Sequence, residues 1–404
     1  MLPLITLRLQ NQLLVQPPFD APQQVVEWMG AVQAQDYRMA KWAVGCRTAS
    51  TDATQIEAAL NRGDILRTHL LRPTWHFVSS KDLRWMLSLT ADRIRAANDS
   101  YARGTDAALD SKSIHRYMNL LQKTLEGNKH RTKEEIGEAL NQRGIPLSQY
   151  ALRHLLMRAE TDGIVCSGAD KKGTATYALL DERAPHGEEP SREEALARLA
   201  RIYFRSHSPA TLADFTWWSG LTATEARRAV ASIAEELTTE HFGDREFFVF
   251  RNAAAAAPSC DTTHLLPAYD QYLIGYKDRS GVLAKETPPK PSTPTEFSNR
   301  SSFATDRSSA IGNEPQDEGT SPYKRPYGKI PPPSRWMPPS RGTGCSSAEQ
   351  SRKTVRRLCE IMITFAGNIT QDSSENNERK LETGNADLPA TGRTGQLRRH
   401  PRRI

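Results

Sequence analysis

The 404-residue sequence predicts a mainly α-helical chain with small β-hairpins, an α+β fold of three tandem winged-helix units ending in a disordered C-terminal tail. Three observations point to it. Between about residues 113 and 250, an order of three helices followed by a hairpin occurs twice. The first hundred residues carry a fainter version of that order. From about Glu286 the periodicity is lost: 14 of the 25 prolines fall after this residue, among serine, threonine, asparagine and arginine stretches that cannot build a core. The expected units are 1–104, 105–186 and 187–285, the last including the start of an incomplete β element, with the tail at 286–404. Several units are also what this length requires, since one ordinary core does not organise so long a chain.

In the first unit, helices are expected over about 21–33 and 55–61, followed by strands at 65–71 and 75–79. A long helix over 81–101 packs through Leu83, Met86, Leu87 and Ile94. Its Arg84, Arg93 and Arg95 make either a solvated face or the lining of a DNA groove. The second unit opens with Ile114, Tyr117, Met118, Leu121 and Leu125 at helical spacing. Thr132-Lys133-Glu134-Glu135 then forms a capping box, in which hydroxyl and carboxylate satisfy reciprocal backbone donors. Ser148 caps a third helix, which ends near Asp162-Gly163. Short β-type runs at 164–166 and 175–179 enclose a glycine-bearing turn tipped by Lys171 and Lys172, which reads as a hairpin. The third unit repeats the order with helices over 192–205 and 212–218 and one opened by the box Thr222-Ala223-Thr224-Glu225. Its hairpin, 238–242 with 246–250, turns at Gly243-Asp244-Arg245.

The formal net charge of +7 and pI near 9.1 favour a polyanionic partner, although an excess of this size equally serves solubility. Five scattered cysteines form no C-x-x-C pair and have no histidines at zinc-ligand spacing, so neither disulfides nor a metal is expected. No apolar run reaches the roughly 18 residues of a membrane span, and the first residues lack the pattern of a secretory signal. A cytoplasmic monomer is expected, without membrane association. No Walker loop, dinucleotide fingerprint, H-E-x-x-H or G-x-S-x-G motif is present in the patterned part, and no cofactor is expected.

Three clusters stand out. In Gln33-Ala34-Gln35-Asp36, polar side chains interrupt an apolar helix face, and read alone they cap the helix end. Arg67 to Phe77 alternates basic and aromatic residues, with Thr74 and His76 on one side of a strand. Here Arg67 and Arg72 can hold phosphates, and Trp75 either stacks or fills the core. The stretch 265–279, which ends with Lys277 and Arg279, is too aromatic for a linker and should form a structured strand and turn near DNA or the pocket.

Taken in this order around two winged helices, the clusters resemble the AlkZ and AlkX (YcaQ) family of winged-helix DNA glycosylases over roughly residues 1–283. The resemblance implies three winged helices forming a concave face on double-stranded DNA and excision of alkylated bases, including N7-alkylguanines and crosslinks. It maps the Q-x-Q catalytic motif to Gln33 and Gln35, the T-x-H element to Thr74 and His76, and the L-P-x-x-D-x-Y-L-x-G stretch to Leu266 through Gly275. Family members continue with β-structure that is not found after Arg279. An N7-alkylated guanine carries positive charge and leaves as a neutral base, so placement by weak catalysts suffices. On this reading Gln33 orients the attacking water through its amide oxygen and Gln35 positions the sugar or the same water. Asp36 stabilises the cationic sugar or forms a turn; Thr74 and His76 support the site. Arg67, Arg72, Lys171, Lys172, Arg245, Lys277 and Arg279 are the expected DNA contacts. The competing reading is a non-catalytic winged-helix DNA-binding protein or transcription regulator, since a fold alone does not assign function.

Overall fold

A computed structural model describes residues 4–49, 53–105, 109–184, 186–187, 189–251 and 263–280, together with the strand at 302–305. All lie in the first of two units into which the chain divides, Met1–Pro338; the second, Pro339–Ile404, lies outside the described residues. The described part is mainly helical with small antiparallel sheets.

The chain opens with α1 (Leu4–Asn11) and α2 (Pro22–Met29). Proline at the first position of α2 suits a helix start, where its missing N–H costs no bond. The helix expected over 21–33 ends at Met29, because Gly30 takes a φ of +75°. A Cβ on Gly30 would lie 2.4 Å from Ile202 Cγ2, so the turn also requires glycine for space. Gln33 is consequently on a strand, β1 (Val32–Gln33), and not on a helix end.

Next come α3 (Tyr37–Gly45), α4 (Ala53–Arg62) and the strands β2 (Ile65–Leu70) and β3 (Thr74–Ser79). β3 lies at the centre of an antiparallel sheet of order β1-β3-β2. Alternation along β2 and β3 divides their side chains between two cores. Ile65 and Phe77 join Val25, Val26, Met29 and Ile56 on one face. Leu66, Leu70 and Val78 join Leu199, Tyr203, Phe204 and Trp218 on the other. Burial on both faces leaves no solvent face to these strands, and Thr68, His69, Thr74 and His76 stand among the apolar positions.

The helices α5 (Leu83–Ala102), α6 (Ser111–Leu125), α7 (Lys133–Asn141) and α8 (Gln149–Thr161) follow. Leu121, Leu125, Ile136, Leu140, Leu152 and Leu155 form their shared core. Each of the last three has a side-chain cap, from Asp110, Thr132 and Ser148 in turn. Such a cap contributes about 1 kcal/mol. β4 (Val165–Ser167) pairs with β5 (Tyr177–Leu179), and the short α9 (Leu180–Arg183) leads out of the hairpin.

Three helices again precede a hairpin: α10 (Arg192–His207), α11 (Leu212–Ser219) and α12 (Ala223–Ala231), then β6 (Leu237–Phe242) with β7 (Arg245–Phe250). All three open with capping boxes, from Ser191 with Glu194, Thr211 with Asp214 and Thr222 with Glu225. The last elements are β8 (Thr263–Leu266), α13 (Gln271–Ile274) and β9 (Ser302–Thr305). β9 pairs antiparallel with β8 and lies inside the segment expected to be disordered; the rest of 286–404 is outside the described residues. The pairing gives the β8 backbone the partner that an open strand edge lacks.

A buried ion pair joins the two ends of this architecture. Arg47, just beyond α3, donates from Nη1 and Nη2 to the two Asp270 oxygens at 2.8 and 2.7 Å. The side chains are 1% and 0% exposed. Arg47 also donates to the Ala43 carbonyl and to Gln12 Oε1, and Asp270 accepts from the Tyr272 amide as the cap of α13. Gln12 donates in turn to the Tyr276 hydroxyl, which donates to the His207 carbonyl. The 265–279 stretch thus forms a buried junction of α1, α3 and α10. Asp270→Ala would leave a buried guanidinium without its counter-ion. It should lower stability by about 3–5 kcal/mol in urea unfolding; a loss under about 1 kcal/mol would show that the pair does not tie the fold.

Candidate functional site

The register of the central sheet assembles the site. β1 sets Gln33 opposite His76, and β2 sets Thr68 opposite the same histidine from the other side. Thr74, two residues before His76, shares its face. Gln33, Thr68, Thr74 and His76 therefore line one face of three strands. The Thr68 and Thr74 hydroxyls and His76 Nε2 are buried without a well-formed hydrogen bond among the described residues. This polar seam inside an apolar sandwich is a departure from ordinary burial, in which such atoms are paired.

His76 is fully buried, with Nδ1 3.0 Å from the Thr74 carbonyl. Burial first, and the neighbouring Arg72 charge second, push its pKa down to about 3. It is therefore neutral in ordinary buffers. Since a carbonyl only accepts, the tautomer with its proton on Nδ1 satisfies the Thr74 contact.

Arg72 stands on the turn between β2 and β3. Its Nη2 donates to Gln33 Oε1 at 3.0 Å, and its guanidinium lies 5.3 Å from the Trp217 ring centroid. Burial, and then repulsion from Arg279, bring the Arg72 pKa down to about 10, which leaves it charged near neutrality. Gly220, with φ +66°, lies against this turn; a Cβ there would be 2.3 Å from the Leu71 carbonyl oxygen. Leu71 itself has φ +60°. Arg279 is half-buried, and burial lowers its pKa as well.

On the chain just past Gln33, the Ala34 amide donates to the Trp75 carbonyl at 2.7 Å and the Ala34 carbonyl accepts from Arg67 Nε at 3.0 Å. The Arg67 guanidinium lies 4.3 Å from the Trp75 ring and 5.4 Å from that of Tyr37, a cation–π arrangement. Trp75 donates from its indole to Glu160, whose other oxygen meets His69 Nδ1. α8 thereby holds β2 and β3 from the next helical group. Gln35 is half-buried beside this set, and Asp36 caps α3 by accepting from the Arg38 and Met39 amides, each at 3.0 Å.

The remaining basic residues lie on other elements. Lys171 pairs with Glu135 at 2.8 Å, while Lys172 is exposed at the hairpin tip with φ +52°. The neighbouring Asp170 accepts from the Tyr37 hydroxyl and Lys41, so this hairpin is bound to α3. Arg245 pairs with Asp278, and Lys277 is exposed. Among the described residues no group of three His, Cys, Asp or Glu side chains could hold a metal ion, and no helix is long and apolar enough to cross a membrane.

Sequence reasoning did not single out Trp217, Thr68, Glu160 or Arg47. Only Trp217 had a local signal. Adjacent helix positions differ by about 100° in direction, so Trp217 and Trp218 cannot both enter one core. Trp218 is fully buried and Trp217 is 41% exposed.

His76 and His207 should make stability pH-dependent. Both have pKa values near 3 in the folded protein, far below the ordinary 6.5. Below that ordinary value the unfolded chain binds protons that the native state does not, so stability should fall as pH drops from about 6.5 towards 3. His76→Gln should flatten this limb in urea titrations at a series of pH values; an unchanged slope would mean that native His76 is already protonated.

With this geometry in view, a model of the family of AlkZ-like DNA glycosylases matches residues 26–295. The chain is similar to a curated protein of Streptomyces sahachiroi, an interstrand DNA cross-link repair glycosylase. The two are 24% identical over 288 residues, 68% of this chain and 77% of that one. Among solved structures it is similar in fold to the Streptomyces sahachiroi DNA glycosylase AlkZ. Here the TM-score is 0.62 at 22% identity, covering 75% of this chain and 84% of the other.

Proposed function

Because this chain belongs to the AlkZ-like DNA glycosylase family, we propose that it hydrolyses the N-glycosidic bond of N7-alkylated or crosslinked purines in duplex DNA, with Gln33 and Gln35 as its catalytic pair. DNA glycosylase activity, a hydrolase reaction on DNA, follows from the family and agrees with the name of the curated relative. The crosslinked part of this lesion class follows the curated relative, whose name specifies interstrand cross-link repair. The observation that carries the site is the placement of Gln33 opposite His76 in the sheet, with its amide oxygen held by Arg72.

Protein placement is sufficient for this reaction. The alkylated base already bears the positive charge that a protonated leaving group would need. The barrier lies in reaching an oxocarbenium-like sugar and bringing water to it. Two amides at fixed positions lower that barrier by orientation and by dipoles set before the reaction begins. Thr74 and His76 support the strand that faces Gln33, and Asp36 supports Gln35 by capping the helix that follows it. Neither a metal nor a cofactor enters the scheme.

Architecture extends the proposal. The groups α6–α8 with β4–β5, and α10–α12 with β6–β7, have the order of winged helices, and α2, α4, β2 and β3 supply a third. The units would be bounded near 104, 186 and 285. A cytoplasmic monomer would bind one duplex across them. Arg67, Lys172, Lys277 and Arg279 would contact phosphates, joined by Lys171 and Arg245 once these leave Glu135 and Asp278, while Arg72, also expected as a DNA contact, is turned to the Gln33 amide oxygen. An open cleft would admit a bulky adduct that a tight extrahelical pocket would exclude.

Base release from a duplex with one N7-methylguanine tests the proposal under single-turnover conditions. Gln33→Ala and Gln35→Ala should each slow release by about 100-fold while changing duplex affinity by less than about threefold. Unchanged release by both variants would move catalysis to other residues. A folded, DNA-binding wild-type chain that releases neither this base nor a bulkier N7 adduct would exclude the proposed lesion class.

A further inference from the structure

We propose that Arg72 is a positioning residue that turns Gln33 into a hydrogen-bond donor towards the DNA, leaving the orientation of water to Gln35. The inference rests on the catalytic reading of Gln33 and changes the part that its amide plays. A guanidinium has donors and no acceptor, so the Gln33 atom facing Arg72 Nη2 at 3.0 Å must be the amide oxygen. This settles the amide orientation on chemical grounds, where the two ends of the group are otherwise hard to tell apart. The amide NH2 then points away from Arg72 and has no hydrogen-bond partner among the described residues, and Gln33 retains 8% exposure.

Arg72 is itself well anchored for this task. Its backbone amide bonds the Leu70 carbonyl at 2.7 Å, and its carbonyl accepts from the Thr74 amide at 2.6 Å. Gly220 presses on the preceding Leu71 carbonyl, and Trp217 lies beside the guanidinium. The Trp217 indole donates to the Ile274 carbonyl at 3.1 Å, which ties that ring to the buried junction around Asp270. No carboxylate pairs with Arg72 among the described residues, and Arg279 contributes only like charge. The charge is therefore spent on the Gln33 oxygen, where it polarises the amide. That makes the oxygen a weaker acceptor for water and the N–H a stronger donor. The natural recipient is an acceptor atom of the departing nucleotide.

The test uses the full chain, a duplex with one N7-methylguanine, single-turnover release and a separate affinity measurement, with thermal melting to confirm folding. Arg72→Ala and Gln33→Ala should each slow release by about tenfold or more with affinity changed less than about threefold. The double variant should be no slower than Gln33→Ala, because the two groups act as one unit. Gln33→Glu keeps an oxygen towards Arg72 but has no N–H, and it should be as slow as Gln33→Ala. Arg72→Lys, a point charge without the fork, should stay well below wild type. Losses that multiply in the double variant, wild-type release by Gln33→Glu, full rescue by lysine, or an Arg72→Ala defect confined to affinity would each overturn the inference and leave the catalytic pair standing. Wild-type release by Gln33→Ala would remove the catalytic role of Gln33 and this inference with it.

Discussion

A guanidinium and a carboxylate that are both sealed from water remain charged only if each satisfies the other, and Arg47 and Asp270 do so through two parallel hydrogen bonds. The geometry around Gln33 and Gln35 depends on this pair. α3 begins directly after them, is capped by Asp36 at its start, and is held by Arg47 just past its end. With both ends of the helix tied, the strand and turn that feed into it have little freedom. Asp270 also caps α13, whose last carbonyl holds Trp217 in place beside Arg72. One carboxylate thus reaches both sides of the candidate site.

Between these anchors lies a sheet with a core on each face, and the polar residues occupy a line where apolar ones would pack without penalty. His76 is neutral because burial makes its charged form too costly, and its neutrality spares the site a second buried cation beside Arg72. Trp75 and Trp217 each stand beside an arginine, one on either side of the Gln33–Gln35 segment in terms of its hydrogen bonds: Arg67 binds the Ala34 carbonyl, Arg72 the Gln33 side chain. An arginine that touches this segment and an aromatic ring at once links charge to position, which a lysine on a flexible stem does not do.

What was legible in the sequence was local. The capping boxes at Thr132 and Thr222, the hairpin turns and the spacing of Leu121, Leu125 and Ile136 are written within a few residues of one another, and those elements lie where the patterns put them. The boxes at Ser191 and Thr211 complete the set, the latter with Asp214 where glutamate is usual. α1 and α3 were not read. α1 buries Thr6, Arg8 and Asn11, and their polarity hides an inward face whose partners come from residues 208 and 209. α2 ends earlier than its pattern predicts, because nothing local reveals that Ile202 leaves no room for a side chain at Gly30. The three clusters that carry the family likeness were recognisable as a set, but their division of labour was not. The 265–279 stretch, expected as a structured strand and turn near DNA or the pocket, also builds a buried junction, and Arg47 gives no sign at all, since its partner is 223 residues away.

That separation bears on how the protein comes into being on the ribosome. Residue 270 leaves the exit tunnel long after α3 has been made, and until then the Arg47 charge has no counter-ion to bury it. Contacts of such range form late, because loop closure must precede them. The early part of the chain therefore waits, with the Gln33–Gln35 segment unfinished, for the Asp270 carboxylate, 223 residues downstream of Arg47. The candidate site is thereby assembled only when nearly all of the helices and hairpins up to Asp270 exist. A prematurely terminated product lacking Asp270 carries both glutamines without the framework that aims them.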